Sequence, residues 1–119
     1  MTLEAVLAGA VSANQPEFHI DYLVRDNTGV FTPKPGLLRG ELNSTTDVTL
    51  ISPSTGRYAS QAFVAEILSL TIYNKDTATV TVTIKTTDGT TDRIQAKIVL
   101  LTGESVCWNS ASGDWSLVS

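Results

Sequence analysis

The sequence predicts an all-β protein, an antiparallel β-sandwich or small barrel with an extended or short-helical N-terminal arm. Three observations predict it. From Glu66 to Ile98 apolar and polar residues alternate over 66–73, 79–85 and 93–98, and a period of two sends every second side chain to the same face of a strand. Turn signals such as Asn74-Lys75-Asp76 and Asp88-Gly89 separate these runs. Thr and Ser are plentiful, and Thr is a strand former rather than a helix former.

Residues 2–12 read as a short helix or an arm. Thr2 can cap a helix, and Leu3, Val6, Leu7 and Val11 fall on one helical stripe. Against this, Gly9 weakens a helix by roughly 1 kcal/mol relative to Ala. Asn14-Gln15-Pro16 breaks the pattern, so 1–16 is assigned to the arm and 17–119 to one sandwich domain. Phe18, Ile20, Tyr22 and Val24 alternate with His19, Asp21, Leu23 and Arg25 as a first strand, and Asp26-Asn27-Thr28-Gly29 turns. Pro33 and Pro35 make 32–36 an extended loop suited to lying on another subunit. Short strands follow over 37–42 and 47–52, joined by Asn43-Ser44-Thr45-Thr46 and ended by Pro53-Ser54-Thr55-Gly56. Asn43-Ser44-Thr45 matches a glycosylation acceptor but is read as a turn.

The second half gives strands over 63–73, 78–86, 93–101, 104–108 and 114–118. Leu68, Leu70, Ile72, Val80, Val82, Ile84, Ile94, Ala96, Ile98 and Leu100 are expected on the inner face, with Val106 and Trp115 or Leu117 closing the core. A chain of 119 residues buries roughly two-thirds of its unfolded surface without staples.

Composition narrows the function. A net charge of −4 with no Lys/Arg cluster argues against nucleic acid or an anionic membrane as partner. No run reaches the ~18 apolar residues of a transmembrane helix. Ala5 to Ala13 resembles a signal-peptide core, but Met1-Thr2-Leu3-Glu4 lacks the positive start. The single cysteine, Cys107, excludes an internal disulfide and reads as a small buried hydrophobe. His19 is the only histidine, Ser105 sits in Gly103-Glu104-Ser105 without an elbow's second glycine, and no catalytic residue is assigned. One His and one Cys cannot build a structural zinc site, and neither 88–92 nor 26–29 has EF-hand spacing, so no metal or cofactor is expected.

Two surfaces remain. Thr79, Thr81, Thr83 and Lys85 line a polar face, with Arg93, Gln95 and Lys97 across the hairpin. This is either a solvated face held by cross-strand Thr pairs or a subunit interface, since few charges guard the strand from Thr77 to Ile84 as an edge. With Pro33 and Pro35, these four residues form the candidate interface. Trp108 and Trp115 flank the last turn and either plug the sandwich or, with Asn109 and Asp114, stack on a glycan.

From Phe63 onward the chain resembles a module common in small virion structural proteins of tailed bacteriophages. The matching residues are Leu70-Thr71-Ile72-Tyr73-Asn74-Lys75-Asp76, Thr79 to Ile84, Leu100-Leu101-Thr102-Gly103-Glu104-Ser105 and Trp115. The resemblance implies a non-enzymatic β-sandwich that packs as a homo-oligomer with other virion proteins, as head decoration or as a tail or neck component. A receptor- or glycan-binding module of a fibre is the alternative. The expected location is the virion, assembled in the host cytoplasm.

Overall fold

Strand alternation governs the fold from its first residues, earlier than the sequence suggests. The computed structural model describes residues 2–26, 34–42, 46–51 and 63–118. Within them lie β1 (Thr2–Leu7), β2 (Glu17–Asp26), β3 (Lys34–Glu41), β4 (Val48–Ile51), β5 (Phe63–Tyr73), β6 (Val80–Thr87), β7 (Asp92–Leu100), β8 (Ser105–Asn109) and β9 (Trp115–Val118), and no helix. They form two antiparallel sheets, one ordered β4-β1-β6-β7 and the other β3-β2-β5-β8-β9. The β-sandwich expected from the sequence is therefore present.

The arm or short helix expected over 1–16 is instead β1, hydrogen-bonded between β4 and β6. Leu3, Ala5 and Leu7 supply its inward face, with Ala5 and Leu7 buried. Alanine is a poor strand former, and Leu3, Val6 and Leu7 mimic a helical stripe. Two flanking strands override that local preference. The same fact corrects the expected edge at Thr77–Ile84: β6 is interior, paired with β1 on one side and β7 on the other.

The core draws on both sheets. Phe18, Ile20, Leu70, Ile72 and Val106 face Ala5, Leu7, Val82, Ile84 and Leu100 across the sandwich, joined by Leu42 and Leu50. Edge strand β3 carries Gly36 and Gly40 opposite Tyr22 and Phe18. A Cβ on Gly36 would strike the Tyr22 ring, and one on Gly40 would lie 2.9 Å from Phe18 Cζ. The rings thus lie over the two glycines and cover backbone that has no side chain of its own. Pro35 also sits on β3, where an edge tolerates a missing donor.

One end of the sandwich is tied by a buried polar junction. The Asn74 amide donates to the carbonyls of Ala78 and Leu100, both at 3.0 Å, and its Oδ1 accepts from Asp76 N–H at 2.9 Å. Buried Asp76 accepts the backbone N–H groups of Ser12, Ala13, Asn14 and Thr77 at 2.8–3.0 Å. Those hydrogen bonds, led by Ser12 and Asn14, hold its carboxyl at about 2. The turn after β7 docks on the same residue: Asn74 N–H donates to Glu104 O and Gly103 N–H donates to Asn74 O. Gly103 takes φ +80°, a left-handed conformation that favours glycine at this turn. Asn74-Lys75-Asp76 and Leu101–Glu104, separate in sequence, are thus one junction that also clamps the segment after β1.

The opposite end is irregular in both sheets. The pairing register shifts at Leu3/Glu4, at Asp21/Tyr22 and at Ile84/Lys85. Opposite Asp21/Tyr22 the extra residue is Leu68, so Ile67 packs against the core where Leu68 is expected. Opposite Ile84/Lys85 the extra residue is Gln95, and Ile94 comes to pair with Lys85. Ile94, expected inside, is 68% exposed. A bulge inserts one residue and inverts the phase beyond it, which strict alternation cannot foresee. Leu117 is likewise exposed rather than closing the core, a role in which Trp115 is packed against the buried cluster.

Some expectations fall outside the described residues: Pro33, Asn27-Thr28-Gly29, the Asn43-Ser44-Thr45 acceptor and Pro53-Ser54-Thr55-Gly56.

Candidate functional site

The Thr face lies on the outer side of the β4-β1-β6-β7 sheet. Thr79 is exposed ahead of β6, while Thr81 and Thr83 are half-buried between Val6 of β1 and Lys97 and Val99 of β7. Lys85 is not free to meet a neighbour. Its ammonium lies 3.0 Å from both Asp47 and Asp92, and these carboxylates raise its pKa. Asp92 is lowered in turn, first by a Thr87 side-chain hydrogen bond and then by Lys85. Of the four face residues, Lys85 is the one whose polar group is held by partners within the chain.

Exposed apolar side chains lie one strand further out. Edge strands β7 and β9 end their respective sheets on the same flank, and Val99, Leu101, Leu117 and Val118 there are each more than half exposed, as is Ile94. Arg93 and Lys97 on β7 oppose strand-to-strand pairing at its open edge, so side-chain packing is the contact this flank favours. The sequence signal for it was obscured, because Ile94 and Leu117 carry the phase of inward residues.

Between the same two edges, at the bulged end, the sheets part around a cleft of about 310 Å³. Leu3 and buried Ile84 line it from the four-stranded sheet, and Ile67 and buried Leu70 from the five-stranded one. Trp108 and Trp115 line it as well, paired across β8 and β9 with ring centroids 6.5 Å apart and planes inclined by 46°. Thr86 and Gln95 are the polar end, joined by a 3.2 Å bond from the Gln95 amide to the Thr86 hydroxyl. Gly113 contributes a lip without a side chain. Gln95 reaches this cleft because the β7 bulge leaves it beside inward-facing Ala96.

Of the four aromatic-loop candidates, the structure brings together Trp108 and Trp115 only. Asn109 is drawn into its own turn, where its Oδ1 accepts from Ser112 N–H and Ser112 Oγ–H. Asp114 is exposed, with its backbone N–H directed to Ser112 Oγ. Thr86 and Gln95 are the cleft residues that sequence reasoning missed as ligand contacts, and no periodic signal marks them.

Elsewhere, Cys107 is half-buried rather than buried, on the outer face of β8, accepting from the Thr71 hydroxyl at 3.7 Å. His19 lies on the outer face of β2 at 3.7 Å from Glu17, whose carboxylate also holds Lys75 at 2.9 Å. The Lys75 hydrogen bond lowers Glu17, and Glu17 raises Lys75. Among the described residues no group of three or more His, Cys, Asp or Glu is placed to hold a metal. No family model, curated protein or solved structure matches this chain.

Proposed function

We propose that this chain is a non-enzymatic structural protein of a bacteriophage virion. It works by oligomeric packing with itself and other virion proteins, as a capsid decoration or a tail or neck component assembled in the host cytoplasm. One observation carries the reading: on the flank where β7 and β9 end their sheets, Val99 of β7, Leu101 just after it, and Leu117 and Val118 of β9 are each more than half exposed. Apolar side chains grouped on a flank are the mark of a packing surface. The two turns that carry the phage-module resemblance meet at Asn74, which supports their belonging to one structural unit. Light scattering on the full chain tests the packing. The wild type is expected as an oligomer and Val99→Lys/Leu117→Lys as a folded monomer. A wild-type monomer at every concentration reached would sink it. Cryo-electron microscopy of particles carrying the chain is expected to show many symmetry-related copies.

A second reading, a glycan-binding module of a fibre, has one observation in its favour: Trp108 and Trp115, the latter also packed against the core cluster, line an open cleft.

A further inference from the structure

From the geometry of the bulged end, we propose that the inter-sheet cleft is a binding site for a neutral saccharide ring, with Trp108 and Trp115 as its stacking wall and Gln95 and Thr86 as its hydrogen-bonding end. This rests on the glycan-binding reading of the tryptophan pair and is independent of the packing of the flank.

The β7 bulge sets which side chains stand at the cleft. Continued alternation would put Ile94 inside and Gln95 outside, which both side chains favour on transfer grounds. The bulge leaves Ile94 68% exposed, while Gln95, itself exposed, lines the rim of the cleft. A local choice that runs against burial is the kind found where a side chain is needed for recognition. Register shifts in β1 and in the β2–β5 pair fall at the same end, as bulges do beside binding sites.

The chemistry of the lining selects the ligand. Apart from Thr86 and Gln95 the described lining is apolar, and none of it is charged, so neither an anion nor a cation finds a counter-charge. A sugar ring matches the remainder: its C–H face stacks on indole, while its hydroxyls both donate and accept. Gln95 and Thr86 between them offer donors and acceptors of both kinds. The two indoles, inclined at 46°, present an angled wall rather than a closed stack. A volume of about 310 Å³ falls at the small end of ligand sites, which run from roughly 300 to 1,000 Å³.

Both tryptophans of the chain line this cleft, so intrinsic indole fluorescence reads the site alone. The probes are the methyl glycosides of glucose, galactose, mannose and N-acetylglucosamine, with N-acetylneuraminic acid as the charged counterpart. At least one neutral glycoside is expected to shift the emission saturably and to move the Trp108 and Trp115 indole N–H and Gln95 amide resonances. Gln95→Ala is expected to weaken that binding by about three- to tenfold, as is Thr86→Val. Gln95 is exposed and Thr86 half-buried, and an unchanged melt would confirm that each variant folds. No response to any neutral glycoside would overturn the proposal and the glycan reading together. Binding that shifts the indoles yet is unchanged in Gln95→Ala and Thr86→Val would overturn the proposed site while leaving glycan binding standing. Preference for N-acetylneuraminic acid would overturn the neutral-ligand assignment.

Discussion

Replacing Asn74 by Ala should be among the most damaging single changes in this protein, although no charge is lost. Asn74 is fully buried and uses both ends of its amide. Truncation strands the buried Leu100 carbonyl and the buried Asp76 N–H, while Ala78, being exposed, has solvent to turn to. Each orphaned buried group costs roughly 1–3 kcal/mol, giving a loss of about 4 kcal/mol. A domain of this length has a total stability of only ~6–18 kcal/mol. With an unfolding entropy of ~2.1 cal/mol/K per residue, that loss lowers Tm by about 16 °C. Thermal melts followed by far-UV circular dichroism measure this directly. Asn74→Asp provides the control: of similar size, it turns an acceptor toward the Leu100 and Ala78 carbonyls, and at neutral pH should lose at least as much. Hydrogen exchange adds a local test, because Asn74 orients Asp76, which holds the amides of Ser12, Ala13 and Asn14. Their protection should fall more than that of β5. A Tm drop below ~4 °C, equivalent to about 1 kcal/mol, would refute the junction as an organising element.

Other perturbations have equally definite outcomes. Asp76 has its pKa lowered from 3.8 to about 2 by backbone N–H groups. Because the folded value is the lower one, its contribution is complete above 3.8 and is lost as pH falls toward 2. Acid titration of stability should therefore steepen across that window in the wild type and flatten there in Asp76→Asn. Gly40→Val places a branched side chain against the Phe18 ring and should cost about 1–3 kcal/mol by overpacking. Chemical denaturation would measure it, and an unchanged midpoint would contradict the close approach.

How far the sequence could be read depended on whether a residue's partners were regular. β5 to β9 follow from period-two alternation and turn chemistry, because β5, β6 and β7 are long enough to show the period and the turns after β6, β7 and β8 carry Gly. Leu70, Ile72, Val80, Val82, Ile84 and Leu100 are buried as alternation requires. β1 was hidden because its strand character comes from β4 and β6, distant in sequence, and not from its own residues. The cleft was half legible. The two tryptophans stand out by chemistry, but Gln95 enters through a single inserted residue, and a bulge leaves no periodic trace. Ile94 shows the same failure from the other side, with an inward phase in sequence and an outward side chain in the fold.

The position of β1 also bears on how the chain folds. Thr2 pairs with Thr87, and Ser12 is held by Asp76 across 64 residues. The β6–β7 and β8–β9 hairpins close through short local turns, whereas the four-stranded sheet is completed only when its most N-terminal strand finds a slot between two later ones. Contacts of such separation carry a large loop-closure entropy before they return any stabilisation, and they slow folding. A nascent chain would hold β1 unpaired until β4 has been made, and paired on one side alone until β6 has been made. The N-terminal segment is thus the keystone of this sheet in space and a late arrival in time.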